Sequence, residues 1–472
     1  MVFSSLIFLY AFFSLSLAAY ALCRTQKAQN AVLLVFSLVF YAWGEPKYVL
    51  LLMFMAFTSW LCALGVERAE TKKGKISWVW ASAIIDIALI GYYKYAGLIC
   101  SIFGEVPAFI ANIALPIGIS FYTFQLLTYV IDVYRKDAPA QKRYWNVLLY
   151  AALFHQCIAG PIVRYKTIDH ELFSGEPRQP QWHLGVSRFC AGLAKKVLLA
   201  NPCGALADSV ILADSVAREA SQFAANAQLL ENIPVLGGWL GILAYGLHIY
   251  LDFSAYSDMA IGMGKMLGLN YLENFNYPYI SRTVTEFWRR WHMSLGTFFR
   301  DYVYIPLGGS RCSKMRMVFN TFVVWALTGL WHGASWNFVV WGLIFAVLLL
   351  AEKWLPWLKK LGSIYVLPVV MLSFVVFNAA DLGAAVHEIG AMFGLAGLPL
   401  VTVETLYYLR SFAPLFVMAM VGATPIVRDT CRRIENTAIG AVLEIAMMAG
   451  LLIVCTAYLV DGSFSPFLYF RF

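Results

Sequence analysis

Long apolar runs separated by short polar connections set the pattern of this chain. Phe3 to Leu22 carries no charge, residues 361–380 carry none, and residues 437–460 are interrupted only by Glu444. Windows of about 20 apolar residues match the length at which a helix crosses a bilayer core. The pattern predicts an all-α polytopic membrane protein, with about 10–12 transmembrane helices among re-entrant or amphipathic segments. Residues 145–200 and 233–345 differ, mixing apolar runs with Gly, Pro, Arg and His. Irregular backbone at membrane depth is tolerated only where protein or a watery cavity surrounds it. These segments therefore either line an internal cavity or lie as loops on the membrane surface. Residues 204–232, rich in Ala with Asp208, Asp214, Arg218 and Glu219, predict a helical excursion facing water. No repeat, low-complexity tail or linker divides the chain. The reading is one membrane domain over 1–472, with N-terminal spans in 1–143, core segments in 144–345 and C-terminal spans in 346–472.

Charge adds orientation. Basic clusters recur at every second connection: Arg24 and Lys27, then Arg68 to Lys75, then Arg135 to Arg143, and finally Arg428 to Arg433. The positive-inside rule assigns these to the cytosol and leaves both termini outside, after an even number of crossings. No basic stretch precedes Phe3, so the first apolar run reads as a span rather than a cleaved signal. Composition agrees, with 61% hydrophobic and 13% charged residues against about a quarter charged in soluble proteins. The net charge of +8 is dispersed over separate loops, which argues against a nucleic-acid partner. The nine cysteines show no C-x-x-C pair, and neither a disulfide framework nor a metal site is expected.

Candidate chemistry concentrates in two stretches. From Asn274 to Arg316, Thr283-x-x-Glu286 has the spacing of a capping box. Val284, Phe287, Trp288, Trp291, Leu295, Phe298 and Phe299 then recur at helical spacing, with Glu286, Arg289, Arg290 and Arg300 opposite. His292 falls at the edge of this apolar stripe, either at a wet cavity or as a borderline residue of an interfacial helix. The second stretch, LTGLWHGASWNFVVWG from Leu327, sets His332 in a Trp-rich run between Gly329 and Gly333. Ionisable side chains in membrane spans usually have functional or paired roles, and histidine suits proton transfer near neutral pH. A core histidine bonded to a carbonyl is the other reading; the glycines admit either a substrate or a neighbouring helix. His248 and Asp252, four apart, share a helix face and could hydrogen-bond, and Asp258, Tyr256 and Ser254 extend that polarity; the spacing suggests no metal, and the cluster reads as structural support of a cavity. Gly308-Gly309-Ser310-Arg311, with the nearby arginines, is either an attractor of an anionic donor or a tight turn.

Several of these segments resemble the membrane-bound O-acyltransferase (MBOAT) superfamily, in particular its bacterial polysaccharide O-acetylation branch. The resemblance runs through LPIGISFYTFQLLTYVIDVYR from Leu115, IAGPIVRY from Ile158, GLAKKVLLA from Gly192 and LDFSAYSDMAIGMG from Leu251. It is most specific in the EFWRRWHMSLGTFFRDYVYIPLGG segment and in LTGLWHGASWNF. Ala255 and Asn201 stand where relatives often have Gly and Asp. The resemblance implies a ring of helices around a thinned centre, with a cytosolic funnel reaching the catalytic histidine. It makes His332 catalytic and His292 the second functional position. Arg289, Arg290, Arg300, Arg311, Asp252, Asp258, Trp331 and Asn337 are weaker candidates for holding donor or substrate. It further implies a bacterial cytoplasmic membrane, no bound cofactor, acetyl-CoA as acyl donor, and hydroxyls of a cell-envelope polysaccharide as target. An extracytoplasmic partner with an esterase-type fold is implied as well. D-alanyl transfer from a carrier-protein thioester to teichoic acid is the rival activity. A transporter or flippase is the rival from another class, against which the missing internal repeat counts.

Overall fold

The computed structural model describes residues 1–158, 160–211, 231–434, 437–462 and Phe467. All regular structure among them is helical: α1 (Ile7–Leu22), α2 (Gln26–Gly44), α3 (Val49–Arg68), α4 (Lys72–Phe103), α5 (Ile119–Arg135), α6 (Tyr144–Ala152), α7 (Tyr165–Phe173) and α8 (Trp182–Ala194). There follow α9 (Asn201–Val210), α10 (Val235–Met266), α11 (Val284–Arg290), α12 (Met293–Phe299), α13 (Lys314–His332), α14 (Trp336–Trp354), α15 (Ser363–Asn378), α16 (Leu382–Met392), α17 (Val403–Gly422) and α18 (Ala438–Asp461). Six of these, α3, α4, α10, α14, α17 and α18, are long and apolar enough to cross a membrane unaided, and α1 and α15 are shorter apolar helices. Most of the expected water-facing excursion, residues 212–230, lies outside the described residues.

A folded chain leaves apolar helix faces bare only where something apolar covers them. Protein buries just 17% of the apolar window of α17 and 11% of that of α18, and Ile439, Val442 and Ile445 stand exposed on the latter. In a membrane protein these faces meet lipid tails, which are as apolar as leucine.

The chain forms two compact units, Met1–Phe189 with Tyr256–Glu273, and Cys190–Ala255 with Asn274–Phe472. In the first, Phe3, Phe8, Phe12, Phe40 and Phe154 form an aromatic core with ring centroids 5.0–6.3 Å apart. Several of its polar groups find partners within the unit. Tyr271 bonds His155 Nδ1 at 2.7 Å, and Arg188 meets Asp258 at 2.8 Å. Asp258 is thus one half of an ion pair with a cation from α8.

In the second unit His248 and Asp252, which share a face of α10, are each engaged by a neighbouring segment. His248 Nδ1 lies 2.8 Å from the Ala200 carbonyl, and Asp252 pairs with Lys196 at 2.7 Å, both side chains almost fully buried. Each finds its partner on the neighbouring 195–201 segment, because a buried carboxylate gains most from a cation. The glycines around His332 are likewise explained. A Cβ on Gly329 would collide with the Phe338 carbonyl, one on Gly333 with the Phe338 ring, and one on Gly342 with the Trp325 carbonyl. Of the two alternatives, a neighbouring helix is what they admit: they let α13 and α14 pack backbone to backbone, as small residues do between membrane helices.

This packing gives a stability prediction. Gly329→Ala adds a methyl where backbone already stands, at a cost of about 1–3 kcal/mol. The detergent-solubilised variant is expected to melt several degrees below wild type; an unchanged melting temperature would show that the α13–α14 contact yields freely.

Candidate active site

The site grows from a broken helix. Thr283 caps α11, its Oγ1 accepting from Glu286 N at 2.9 Å. Glu286 returns the bond to Arg282 N rather than to Thr283 N, at 2.9 Å, so the expected capping box is shifted by one residue on one side. Buried Glu352 of α14 takes the first free amides of α11, Val284 N and Thr285 N, with the Thr285 hydroxyl at 2.7 Å. A carboxylate at a helix N-terminus satisfies both the orphan donors and the local dipole.

The single amphipathic helix expected through Phe299 does not form. Trp291 is extended, His292 sits in the left-handed region (φ 43°, ψ 54°), and α12 restarts at Met293. Outside glycine that region is uncommon, with His among the residues that tolerate it better. Because of the break, His292 leaves the helix edge and becomes 1% exposed. Phe253 presents its ring at 4.7 Å, Trp331 lies at 5.5 Å and Phe275 at 6.4 Å between centroids. Asn274 holds the break together: its carbonyl accepts Met293 N at 2.9 Å, and its side-chain oxygen accepts Ser294 N at 3.3 Å and Ser294 Oγ at 2.8 Å. His292 Nδ1 lies 3.1 Å from the same oxygen.

His332 ends α13 and is 3% exposed. Its ring is walled by Trp331 at 5.0 Å, Trp341 at 5.0 Å edge-on and Phe377 at 5.3 Å. Trp331 therefore touches both imidazoles, and the two histidines share one aromatic partition.

The weaker candidates scatter. Asn337 donates to the Val376 and Ala379 carbonyls at 3.3 and 2.8 Å, closing the C-terminus of α15. Arg290 is held by Glu286 at 2.9 Å and Arg300 by Asp301 at 2.7 Å. Arg289 and Arg311 are exposed, and neither forms an ion pair among the described residues. The Gly308–Gly309 stretch is a tight turn, both residues at positive φ; Asn320 donates to the Leu307 and Gly309 carbonyls at 3.2 Å. Sequence reasoning missed Asn274, Ser294 and Glu352. Only Ser294, two residues from His292, left a local trace; the other two reach the site from 18 residues before His292 and from another helix.

Burial holds the His292 pKa down to about 3, against 6.5 for an ordinary histidine. The unfolded chain therefore binds the proton first. This contribution to stability is complete above about pH 6.5 and is lost as pH falls toward 3, at about 1.4 kcal/mol per pH unit. His292→Gln removes it. Between pH 6.5 and 4.5 the variant's unfolding midpoint should fall less steeply than that of wild type, and parallel curves would contradict the burial argument.

Comparison with known proteins supplies the family. The sequence model of the MBOAT, membrane-bound O-acyltransferase family, matches residues 136–361, which include both histidines. A Pseudomonas aeruginosa protein named probable alginate O-acetylase AlgI is 38% identical over 408 residues, 83% of this chain and 75% of its own length. The peptidoglycan O-acetyltransferase of Helicobacter pylori is 27% identical over 85% of this chain and 81% of its own. The teichoic acid D-alanyltransferase of Bacillus subtilis is also 27% identical, over 56% of this chain and 68% of its own. A helical multi-pass chain with this degree of likeness belongs to the membrane-bound O-acyltransferase family and is a membrane O-acyltransferase.

Proposed function

We propose that this enzyme transfers acetyl from cytosolic acetyl-CoA towards hydroxyls of a cell-envelope polysaccharide, directly or through an extracytoplasmic partner of esterase-type fold. The observation that carries the reading is the pair of buried imidazoles whose rings both pack against Trp331. In the proposed step, His332 takes the proton of the acceptor hydroxyl as its oxygen attacks the thioester carbon. The new ester C–O bond forms, the C–S bond breaks, and the proton passes from the imidazolium to the leaving thiolate. His292, the second functional position, either orients the acceptor or polarises the acyl carbonyl. Of the four candidate arginines, exposed Arg289 and Arg311 form no ion pair among the described residues, and we assign them to the donor's phosphates. The chain sits in this reading in a bacterial inner membrane, with both termini outside and the basic connections in the cytosol.

Acetyl is favoured over D-alanyl as the group transferred because the likeness to the O-acetylating relatives covers more of the chain. A transporter is disfavoured because the matching family model and relatives are acyltransferases.

The test uses membranes holding wild type, His332→Ala or His292→Ala at matched expression, supplied with radiolabelled acetyl-CoA. His332→Ala is expected to lower label in polymer or partner protein about 10²–10⁴-fold, the range of a lost general base. Equal labelling would remove His332 from the chemistry. Label from a D-alanyl carrier thioester, with none from acetyl-CoA, would reassign the donor.

A further inference from the structure

The hydrogen bonds around His292 determine which of its ring nitrogens carries the hydrogen. A backbone N–H can only donate, so the Asn274 side-chain atom facing Ser294 N is the amide oxygen. That oxygen also accepts the Ser294 hydroxyl, 2.8 Å away, whereas the hydroxyl lies 3.4 Å from His292 Nδ1. The hydroxyl's one hydrogen is therefore committed to Asn274. An imidazole nitrogen 3.1 Å from an oxygen that already receives two donors makes a hydrogen bond only by donating. Nδ1 carries the hydrogen, and in a neutral ring Nε2 is then a bare lone pair. Nε2 is fully buried and has no hydrogen-bond partner among the described residues. An unsatisfied buried acceptor is costly, and here it points to a ligand that supplies a hydrogen.

We infer that Asn274 is a positioning residue that locks His292 in the Nδ1–H tautomer, so that Nε2 accepts a hydrogen from a hydroxyl of the acceptor molecule. The inference rests on the acyltransferase reading and chooses between the two roles that reading leaves to His292. A ring with its only hydrogen given to Asn274 has none for an acyl carbonyl; it orients a hydroxyl. The same amide oxygen caps α12, so the geometry that breaks the helix also sets the tautomer.

The test is nitrogen NMR of the full-length protein in detergent, labelled with ¹⁵N-histidine at pH 7. The His292 resonances are identified by their loss in His292→Gln. Wild type is expected to show a protonated Nδ1 and an unprotonated Nε2. Ser294→Ala leaves the Asn274 oxygen in place and keeps that signature. Asn274→Leu removes the acceptor, moves the hydrogen wholly or partly to Nε2, and lowers acetyl transfer from acetyl-CoA at least about tenfold. A protonated Nε2 in wild type would overturn the assignment, and needs no variant that folds. Full transfer activity in His292→Gln, with the wild-type tautomer as stated, would overturn the hydroxyl-orienting role alone. Loss of transfer in His332→Ala would then still stand, so the two readings fail separately.

Discussion

A chain that breaks a helix among apolar side chains must find new partners for the backbone groups the helix would have paired. At Trp291–His292 that requirement organises the site. Asn274 supplies an oxygen from its backbone and one from its side chain to the first amides of α12, and Glu352 does the same for the first amides of α11. A left-handed residue that is not glycine costs on the order of 1–3 kcal/mol and persists where its surroundings over-determine it. Here the break turns the imidazole inward, against Phe253 and Trp331, and the residues that satisfy the broken backbone also fix the ring.

His332 reaches the same partition by a different route. It closes α13 beside three glycines that let α13 and α14 meet at backbone distance, so the Trp331, Trp341 and Phe377 rings crowd the imidazole on several sides. Interiors packed at this density leave side chains few alternative rotamers. One histidine is placed by hydrogen bonds around a break, the other by close packing of two unbroken helices.

Some of this is legible in the sequence and some is not, for physical reasons. Runs of apolar residues are a one-dimensional signal, and helices such as Ala438–Asp461 and Ser363–Asn378 follow the expected segments closely. His332 stands out because a lone imidazole among Trp and Gly is anomalous in a span. The course of Val284 to Phe299 misleads, because its helical periodicity is real on both sides of the break: Phe287, Leu295 and Phe298 are buried as the period requires. The break itself is enforced by Asn274, which periodicity around His292 does not include. Asp252 and His248 show the limit of spacing alone. Spacing on one helix shows which side chains share a face, while Lys196 and the Ala200 carbonyl, arriving from elsewhere in the chain, decide which bonds form.

Buried ionisable groups in this chain follow two strategies, and the contrast bears on catalysis. One is to pair the charge, as in Lys196–Asp252, because an isolated ion in an apolar interior is far too costly. A paired charge of that kind is committed: moving its proton would strand its partner. His292 takes the other course, held neutral by burial among rings, with one nitrogen engaged and the other open. A neutral ring needs no counter-charge, so it is compatible with an apolar wall and still offers a lone pair to an incoming hydroxyl. The aromatic enclosure that makes a resting charge prohibitive thereby leaves hydrogen-bond acceptance from a substrate as the chemistry open to that ring. A neutral histidine, more than a paired buried acid, therefore suits the hydroxyl-accepting role proposed for His292.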